Sequence, residues 1–314
     1  MIKSDPPIPS VSVILCTYNP HRGLLEWALE SLEQQTLDKS QFEVIVVDNN
    51  SSPPLNTTSM ENEESLPLRI IREPRQGLTF SRCAGIAEAS AALLVFMDDD
   101  NHLDPDYLEN AIAIAAKEPQ IGLYGGISRA VFEGPIHPWK KKVIPHLGVR
   151  NYGPDPITSF EDCWGKWEPI GAGMGSRRNV AQKFVHLIES TPIAGELGRK
   201  GGALLSGEDS LFARMANRLG YACSYQPTLR LSHFMKKSRF KPLHLSHTLK
   251  GHGRSFVILQ QTLGNPVPRP GFAMIVRIVL GRFILRIRRF GLRAGVVEWC
   301  WDIGFLQESL KRRS

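Results

Sequence analysis

The chain lacks any apolar run long enough to cross a bilayer. Stretches such as VSVILC (11–16) and LLVFM (93–97) are short, against the ~20 residues of a transmembrane helix. Cysteine is scarce as well: Cys16, Cys83, Cys163, Cys223 and Cys300 are odd in number, widely scattered and never in CxxC spacing. Neither a disulfide framework nor a zinc site is expected from them, and a reducing cytoplasm suits them best. The opening MIKSDPPIPSVSVILCTYNP has a lysine and then prolines, with an apolar run too short for a signal-peptide core, so nothing there directs the chain to secretion. There is no internal repeat and no low-complexity tract, which argues against arrays and disordered linkers. Acidic residues are nearly missing from the C-terminal quarter: from residue 236 onward there are 16 Lys and Arg against 3 acidic residues, a net of +13. The first 235 residues hold 22 basic and 28 acidic, a net of −6, so the overall +7 is a property of the tail.

What is present is a regular alternation. The β-branched runs VSVILC and FEVIVVD (42–48) flank LLEWALESLEQQ, whose Leu25, Leu29 and Leu32 recur at helical spacing. LRIIRE (68–73), a helix around SRCAGIAEASAA, the strand LLVFM and the strand IGLYGGI (121–127) continue the pattern. Between the last two, Asp104 reads as a helix cap with Pro105 in the first turn of YLENAIAIAAK. Such alternation predicts an α/β fold with a mainly parallel sheet and crossover helices. Residues 128–170, rich in Pro, Gly and aromatics, read as loops over a site. Helices are expected near 178–189 and over GEDSLFARMANRLG, the latter ended by Gly220.

Asp98, Asp99 and Asp100 follow LLVFM directly. A solvated turn with a helix cap explains any one of them but not three in succession. An EF-hand loop fails, since His102 and Leu103 stand where a ligand and the turn glycine belong. Ligands of open parallel sheets bind beyond the carboxyl ends of strands, and both Asp48 and Asp98 fall there. Carboxylates at alternating positions suit a hard divalent cation, Mg2+ or Mn2+, that shares its shell with the phosphates of a nucleotide.

Four segments in this order, VSVILCTYN, VIVVDNNSS, QGLTFSRCAGIAEA followed by VFMDDDN, and GEDSLFARM, make the chain similar to the family 2 glycosyltransferases of GT-A fold over roughly residues 10–235. The resemblance implies a Rossmann-like catalytic domain over 1–240, which leaves 241–314 as a basic helical extension. It implies a nucleotide-diphosphate sugar as donor, with Thr17, Tyr18 and Asn19 lining the nucleotide pocket, Asp48 bonding the base, and Asn50, Arg82 and Asp99 on the donor side. Asp98 and Asp100 are the outer members of the DxD motif, Asp100 the closer ligand of Mn2+ or Mg2+. His233 matches a third ligand found in some relatives. Asn49 and Cys83 depart from the commoner pattern, in which an Asp and an Asn stand at these positions.

The family inverts the anomeric centre by one displacement, and its catalytic base corresponds to Asp209, with Glu208 in support. Either acid also suits a helix N-terminus, so the two readings coexist. Gly171, Ala172, Gly173 and Met174 resemble the stretch that shapes the acceptor side. Trp164 and Trp167 have the chemistry to stack on a sugar ring or to pack in the core. KKSRF (236–240) reads as a basic loop facing diphosphate or as a solvated turn.

In the tail, Arg277, Arg282, Arg286, Arg288, Arg289 and Arg293 alternate with Phe272, Ile275, Ile278, Phe283, Ile284 and Ile287. An amphipathic helix lying on an anionic membrane surface satisfies both sets; packing on the chain itself, or a homodimer through the C-terminal helices, is the alternative. Nucleic acid is disfavoured, because aliphatics rather than stacking residues separate the charges. The expected function is sugar transfer to a hydroxyl of a glycan or lipid-linked acceptor in polysaccharide or glycoconjugate synthesis, at the inner face of the cell membrane. A non-catalytic nucleotide-sugar-binding protein of the same fold is the competing reading. A nucleotidyltransferase is disfavoured, since CTYNPHRG supplies no Gly-rich phosphate loop.

Overall fold

Alternate side chains of the first strands face two different cores, and this makes the centre of the molecule a covered sheet. A computed structural model describes residues 8–55, 66–265 and 267–311. The first seven residues, and residues 56–65 of the polar loop before LRIIRE, lie outside the described residues. The chain runs through β1 (Val11–Thr17), α1 (Arg22–Glu33), β2 (Phe42–Asp48), β3 (Leu68–Arg72), α2 (Leu78–Glu88), β4 (Leu93–Asp98), β5 (Asn101–Leu103) and α3 (Tyr107–Lys117). It continues through β6 (Ile121–Phe132), α4 (Pro138–Lys141), β7 (Ile157–Ser159), β8 (Met174–Arg177), α5 (Arg178–Ser190), α6 (Glu208–Arg218) and β9 (Ala222–Met235). Ile14, Cys16, Ile45 and Val47 pack toward α2, α5 and α6, while Val13, Leu15, Val44 and Val46 pack toward α1 and α3. The architecture is therefore a central sheet with helices on both faces.

The strand order is β3-β2-β1-β4-β8-β6-β9-β5, with β7 also paired to β9. The first four are parallel, as the alternation predicts. Beyond β4 the sheet is mixed: β8 is antiparallel to β4 and β6, β6 and β9 are parallel, and β5 and β7 are antiparallel to β9. The reason is the excursion after β6. It leaves the sheet at the carboxyl ends and returns from that side, so the strand that re-enters must run backwards. Residues 128–170 are accordingly more ordered than a loop reading allows, holding the end of β6, α4 and β7. Helix α3 also starts later than expected: its cap is Asp106, while Asp104 accepts the Tyr107 N–H through its carbonyl and binds Arg129 through its carboxylate.

The C-terminal part is helical. Helix α7 (Pro242–Thr262) is followed by α8 (Phe272–Val276), a π-helical segment (Arg277–Arg282), α9 (Phe283–Phe290) and α10 (Leu292–Ser309). Glycines let α7 and α10 touch backbone to backbone. A Cβ at Gly253 would lie 1.9 Å from the Trp301 carbonyl oxygen, and one at Gly304 would lie 1.9 Å from that of Lys250. Two of the six tail arginines pair with buried acids: Arg282 meets Asp302 at 2.6 Å, and Arg286 meets Asp302 at 3.2 Å and Glu298 at 3.3 Å. They neutralise two buried carboxylates; Arg286 is thereby largely withdrawn from the outer surface on which an amphipathic reading places it, whereas the Arg282 side chain stays half exposed. No helix among the described residues is long and apolar enough to cross a membrane.

Gly304→Ala is expected to cost at least 1–3 kcal/mol, the scale of an overpacked contact, because neither backbone can yield. Gly134→Ala, which meets nothing within 4 Å, is expected to stay within about 0.5 kcal/mol of the parent. Urea unfolding of the two variants distinguishes a glycine-dependent helix contact from a loose one; equal midpoints would remove it.

Candidate active site

Three strand ends stand side by side. In the parallel register Thr17 lies opposite Asp48 and Cys16 opposite Asp98, so β1 carries β2 on one side and β4 on the other. Above them opens a cleft of about 1090 Å3, lined among others by Thr17, Tyr18, Asn49, Arg82, Asp98, Asp99, Asp100, Gly171, Ala172, Glu208, Asp209 and His233. The volume reaches the top of the usual ~300–1,000 Å3 range for one small ligand. That leaves room for two reactants.

The three aspartates do not share one partner. Asp98 faces Arg82, Oδ1 to Nη2 at 3.8 Å. Asp99 accepts a hydrogen bond from the Thr17 hydroxyl. Asp100 faces His233 Nε2 at 3.4 Å and Arg239 Nη1 at 3.3 Å. Adjacent like charges are thus separated by turning them toward three different groups. Burial pushes Asp99 up to about 7, with Asp100 adding to the effect. Burial would raise Asp100 too, but the facing His233 and Arg239 outweigh it and hold that carboxyl at about 2. The register of β5 on β9, with Asn101 opposite His233, brings the histidine to this turn.

Asp98, Asp100 and His233 therefore do not assemble as a three-ligand set, and no group of three such side chains is placed to hold a metal among the described residues. The pair Asp100–His233 does fit a cation. Two atoms each about 2.1 Å from a common ion stand roughly 3.0–3.4 Å apart at angles of 90–109°, and these two stand 3.4 Å apart. The Arg239 guanidinium lies against both as a cationic stand-in.

Arg82 is the centre of the buried electrostatics. Its side chain is 2% exposed, and Nη1 meets Glu208 Oε1 at 3.2 Å. The backbone at Gly171 passes directly over it: a Cβ there would lie 2.1 Å from Nη2. Glu208, the first residue of α6, has its other oxygen buried without a partner. Burial drives its carboxyl up to about 7 against the opposing pull of Arg82. Asp209 stands beside it in the same first turn, where the unpaired N–H groups of a helix favour an anion. Its Oδ1 accepts the Ser210 N–H at 2.8 Å. Ser210 in turn donates to the buried Glu168 at 2.5 Å, and Glu168 is held by Arg214.

Several expected residues lie elsewhere. Asp48 is 1% exposed and accepts the N–H groups of Ser51 at 2.9 Å and Leu55 at 3.2 Å, so it shapes the turn after β2 and does not line the cleft. Asn19 and Asn50 brace the same loops: Asn19 accepts the Ser52 N–H and Asn50 accepts Arg72. Asn49 lines the cleft in their place, its side chain fixed by the Gly77 N–H and by the Glu73 and Arg75 carbonyls. Trp164 lines the cleft and is 67% exposed, whereas Trp167 packs against the core. Gly173 is a left-handed turn over Tyr107, and Met174 is fully buried. Glu168, Arg199 and Arg214 were not legible as site residues. A lone Glu or Arg in a Gly-containing loop, as at 168 and 199, or a single Arg within a helix, as at 214, carries no spacing signal.

A sequence profile described as Glycosyl transferase family 2 matches residues 12–185. The chain belongs to glycosyl transferase family 2. It is 28% identical over 224 residues to Glycosyltransferase AglE of Haloferax volcanii, covering 69% of this chain and 64% of that one. It is 27% identical over 155 residues to the Validoxylamine A glucosyltransferase of Streptomyces hygroscopicus subsp. jinggangensis, covering 48% and 36%. The chain thus spans less than two thirds of the length of either relative. The crystal structure of residues 1–349 of S. aureus TarS superposes with a TM-score of 0.51 at 16% identity, covering 94% of this chain and 91% of that one. That likeness is one of fold, and the fold is GT-A.

Replacing Arg82 by Met leaves two cleft carboxylates without their cation, and removing one partner of a buried pair costs about 3–5 kcal/mol. Urea unfolding at neutral pH is expected to show that loss for Arg82→Met and a smaller one when Glu208→Gln is added. Additive losses in the double-mutant cycle would mean that the two side chains do not interact.

Proposed function

We propose that the chain transfers a sugar from a nucleotide-diphosphate sugar to a hydroxyl of a glycan or lipid-linked acceptor, with inversion, in polysaccharide or glycoconjugate synthesis. The observation that carries the reading is a single cleft with a cationic wall (Arg82, Arg199, Lys236, Arg239) and, at the start of α6, the carboxylate of Asp209. In one displacement the acceptor oxygen bonds to the anomeric carbon as the bond to the diphosphate breaks. The acceptor proton passes to Asp209. Arginine and lysine side chains offset the charge growing on the diphosphate. Asp100 and His233 would hold Mn2+ or Mg2+, which supplies Lewis-acid stabilisation of the same leaving group. Glu208, tied to Arg82, keeps the turn that presents Asp209. Trp164, which lines the same cleft as Gly171 and Ala172, supplies a flat face for a sugar ring.

Asp209→Asn keeps the shape of the turn and removes the proton acceptor. With a panel of nucleotide sugars, it is expected to bind donor as the parent does while releasing nucleotide about 10²-fold more slowly, the scale of a positioned base. A variant that turns over normally would move the base elsewhere, Glu208 being next. Donor binding without turnover by the parent would favour the non-catalytic reading.

The same proposal puts the enzyme at the cytoplasmic face of a membrane. Phe272, Leu280, Ile284 and Leu285 are 84%, 59%, 51% and 62% exposed, and Arg277, Arg288, Arg289 and Arg293 are exposed around them. The only carboxylates from residue 269 to 311 are Glu298, Asp302 and Glu308, and all three are buried. The outer face is apolar and cationic with no exposed acid, which complements an anionic leaflet. Cosedimentation is expected with phosphatidylglycerol vesicles, weaker in high salt, and lost in a Phe272→Ser, Leu280→Ser, Ile284→Ser variant. A parent chain that stays in the supernatant and dimerises through this face would overturn the membrane assignment.

A further inference from the structure

Arg239 holds a position that its own segment does little to explain. The turn Lys237–Phe240 is pinned at both ends, by Met235 at 0% exposure and Phe240 at 1%. The Lys237 N–H also donates to Glu133 at 2.6 Å. Lys236, Lys237 and Ser238 between them are exposed, but the Arg239 side chain turns inward and is only 17% exposed. There its Nη1 lies 3.3 Å from Asp100 Oδ2 and 3.1 Å from His233 Nε2. Its Nη1 thus stands against one carboxylate oxygen and one imidazole nitrogen at once. Carboxylate oxygen and imidazole lone pair are what a divalent cation takes.

We infer that Arg239 is a built-in counter-ion for the Asp100–His233 pair, and that it and a divalent cation are alternative occupants of one position. A cation between the two ligands would bring two positive groups together in a poorly solvated cleft, so the guanidinium has to swing away when the ion enters. Because Met235 and Phe240 fix the backbone, the movement belongs to the side chain. The displaced arginine then needs an anion, and a diphosphate in the same cleft supplies one. Cation alone therefore binds weakly, and cation and diphosphate favour each other's binding, a coupling between neighbouring sites. Arg239 occupies the position between Asp100 and His233 while the cleft is empty and sets the order of loading. This rests on the donor-binding reading of the cleft for the diphosphate and for what the cation serves, not for the exchange of Arg239 with the cation.

The test uses Mn2+ alone, followed by the loss of its free-ion electron paramagnetic resonance signal, so it stands apart from any failure to observe sugar transfer. Arg239→Gln and Arg239→Ala are expected to bind Mn2+ at least 10-fold more tightly than the parent, and Asp100→Asn added to either is expected to abolish the gain. Arg239→Lys, which keeps a charge, should stay near the parent. In the unaltered chain, the Arg239 side-chain 15N resonance is expected to shift on addition of Mg2+, a readout that requires no variant. Folded Arg239→Gln that binds Mn2+ no more tightly than the parent would overturn the inference, as would an Arg239 resonance indifferent to saturating Mg2+.

Discussion

The cleft is organised around one buried guanidinium. Arg82 reaches from α2 to a carboxylate on β4 and another at the start of α6, so it joins the parallel half of the sheet to the segment that carries Asp209. Taking a charge out of water costs several kcal/mol, and only partners held in place by the rest of the fold recover it. The fold provides them from two elements far apart in sequence, and it clears space above the side chain by running Gly171 across it. The position of Asp209 is thus inherited from Arg82 through Glu208. A second brace comes from the other side, where Glu168 and Arg214 hold Ser210.

The same economy governs the three aspartates. Packed side by side on one turn, they would repel each other if they met the same solvent-poor space without cations. Each is given its own partner: an arginine, a threonine hydroxyl, and the His233–Arg239 pair. The result is a row of carboxyls in different states, with Asp99 raised by burial and Asp100 held well below the ordinary range. A turn of identical residues becomes chemically differentiated through what surrounds it.

The C-terminal helices divide their charge in a comparable way. Arg282 and Arg286 neutralise Asp302 and Glu298, and the latter also pairs with His146 at 2.8 Å from a segment that lines the cleft. The roof of the site is thereby tied to α10. Arg277, Arg288, Arg289 and Arg293 have no carboxylate partner among the described residues and stand among exposed aliphatics. One stretch of sequence therefore carries two arginine populations with different work, one structural and one at the surface.

Much was legible without coordinates. The alternation of β-branched runs and helical periodicity determined the parallel half of the sheet, and the order of four motifs determined the family. The placement of Asp98–Asp100 at the cleft follows from their position at a strand end, which is a local rule, while that of Asp209 followed only from the resemblance. What the sequence could not decide were matters of direction. Asp48 looks like a ligand residue by position, yet its carboxylate is taken by two backbone N–H groups. Trp164 and Trp167 are alike in sequence, yet one lines the cleft and the other lies against the core. The antiparallel entry of β8 depended on which side of the sheet the chain returned from. Arg239 read equally as part of a diphosphate-facing loop or of a solvated turn until β9 and β5 paired and set His233 and Asp100 before it. Composition and spacing report what a side chain is and how often it recurs. Which neighbour it meets is settled by elements brought together across many residues, and only the packed chain fixes that.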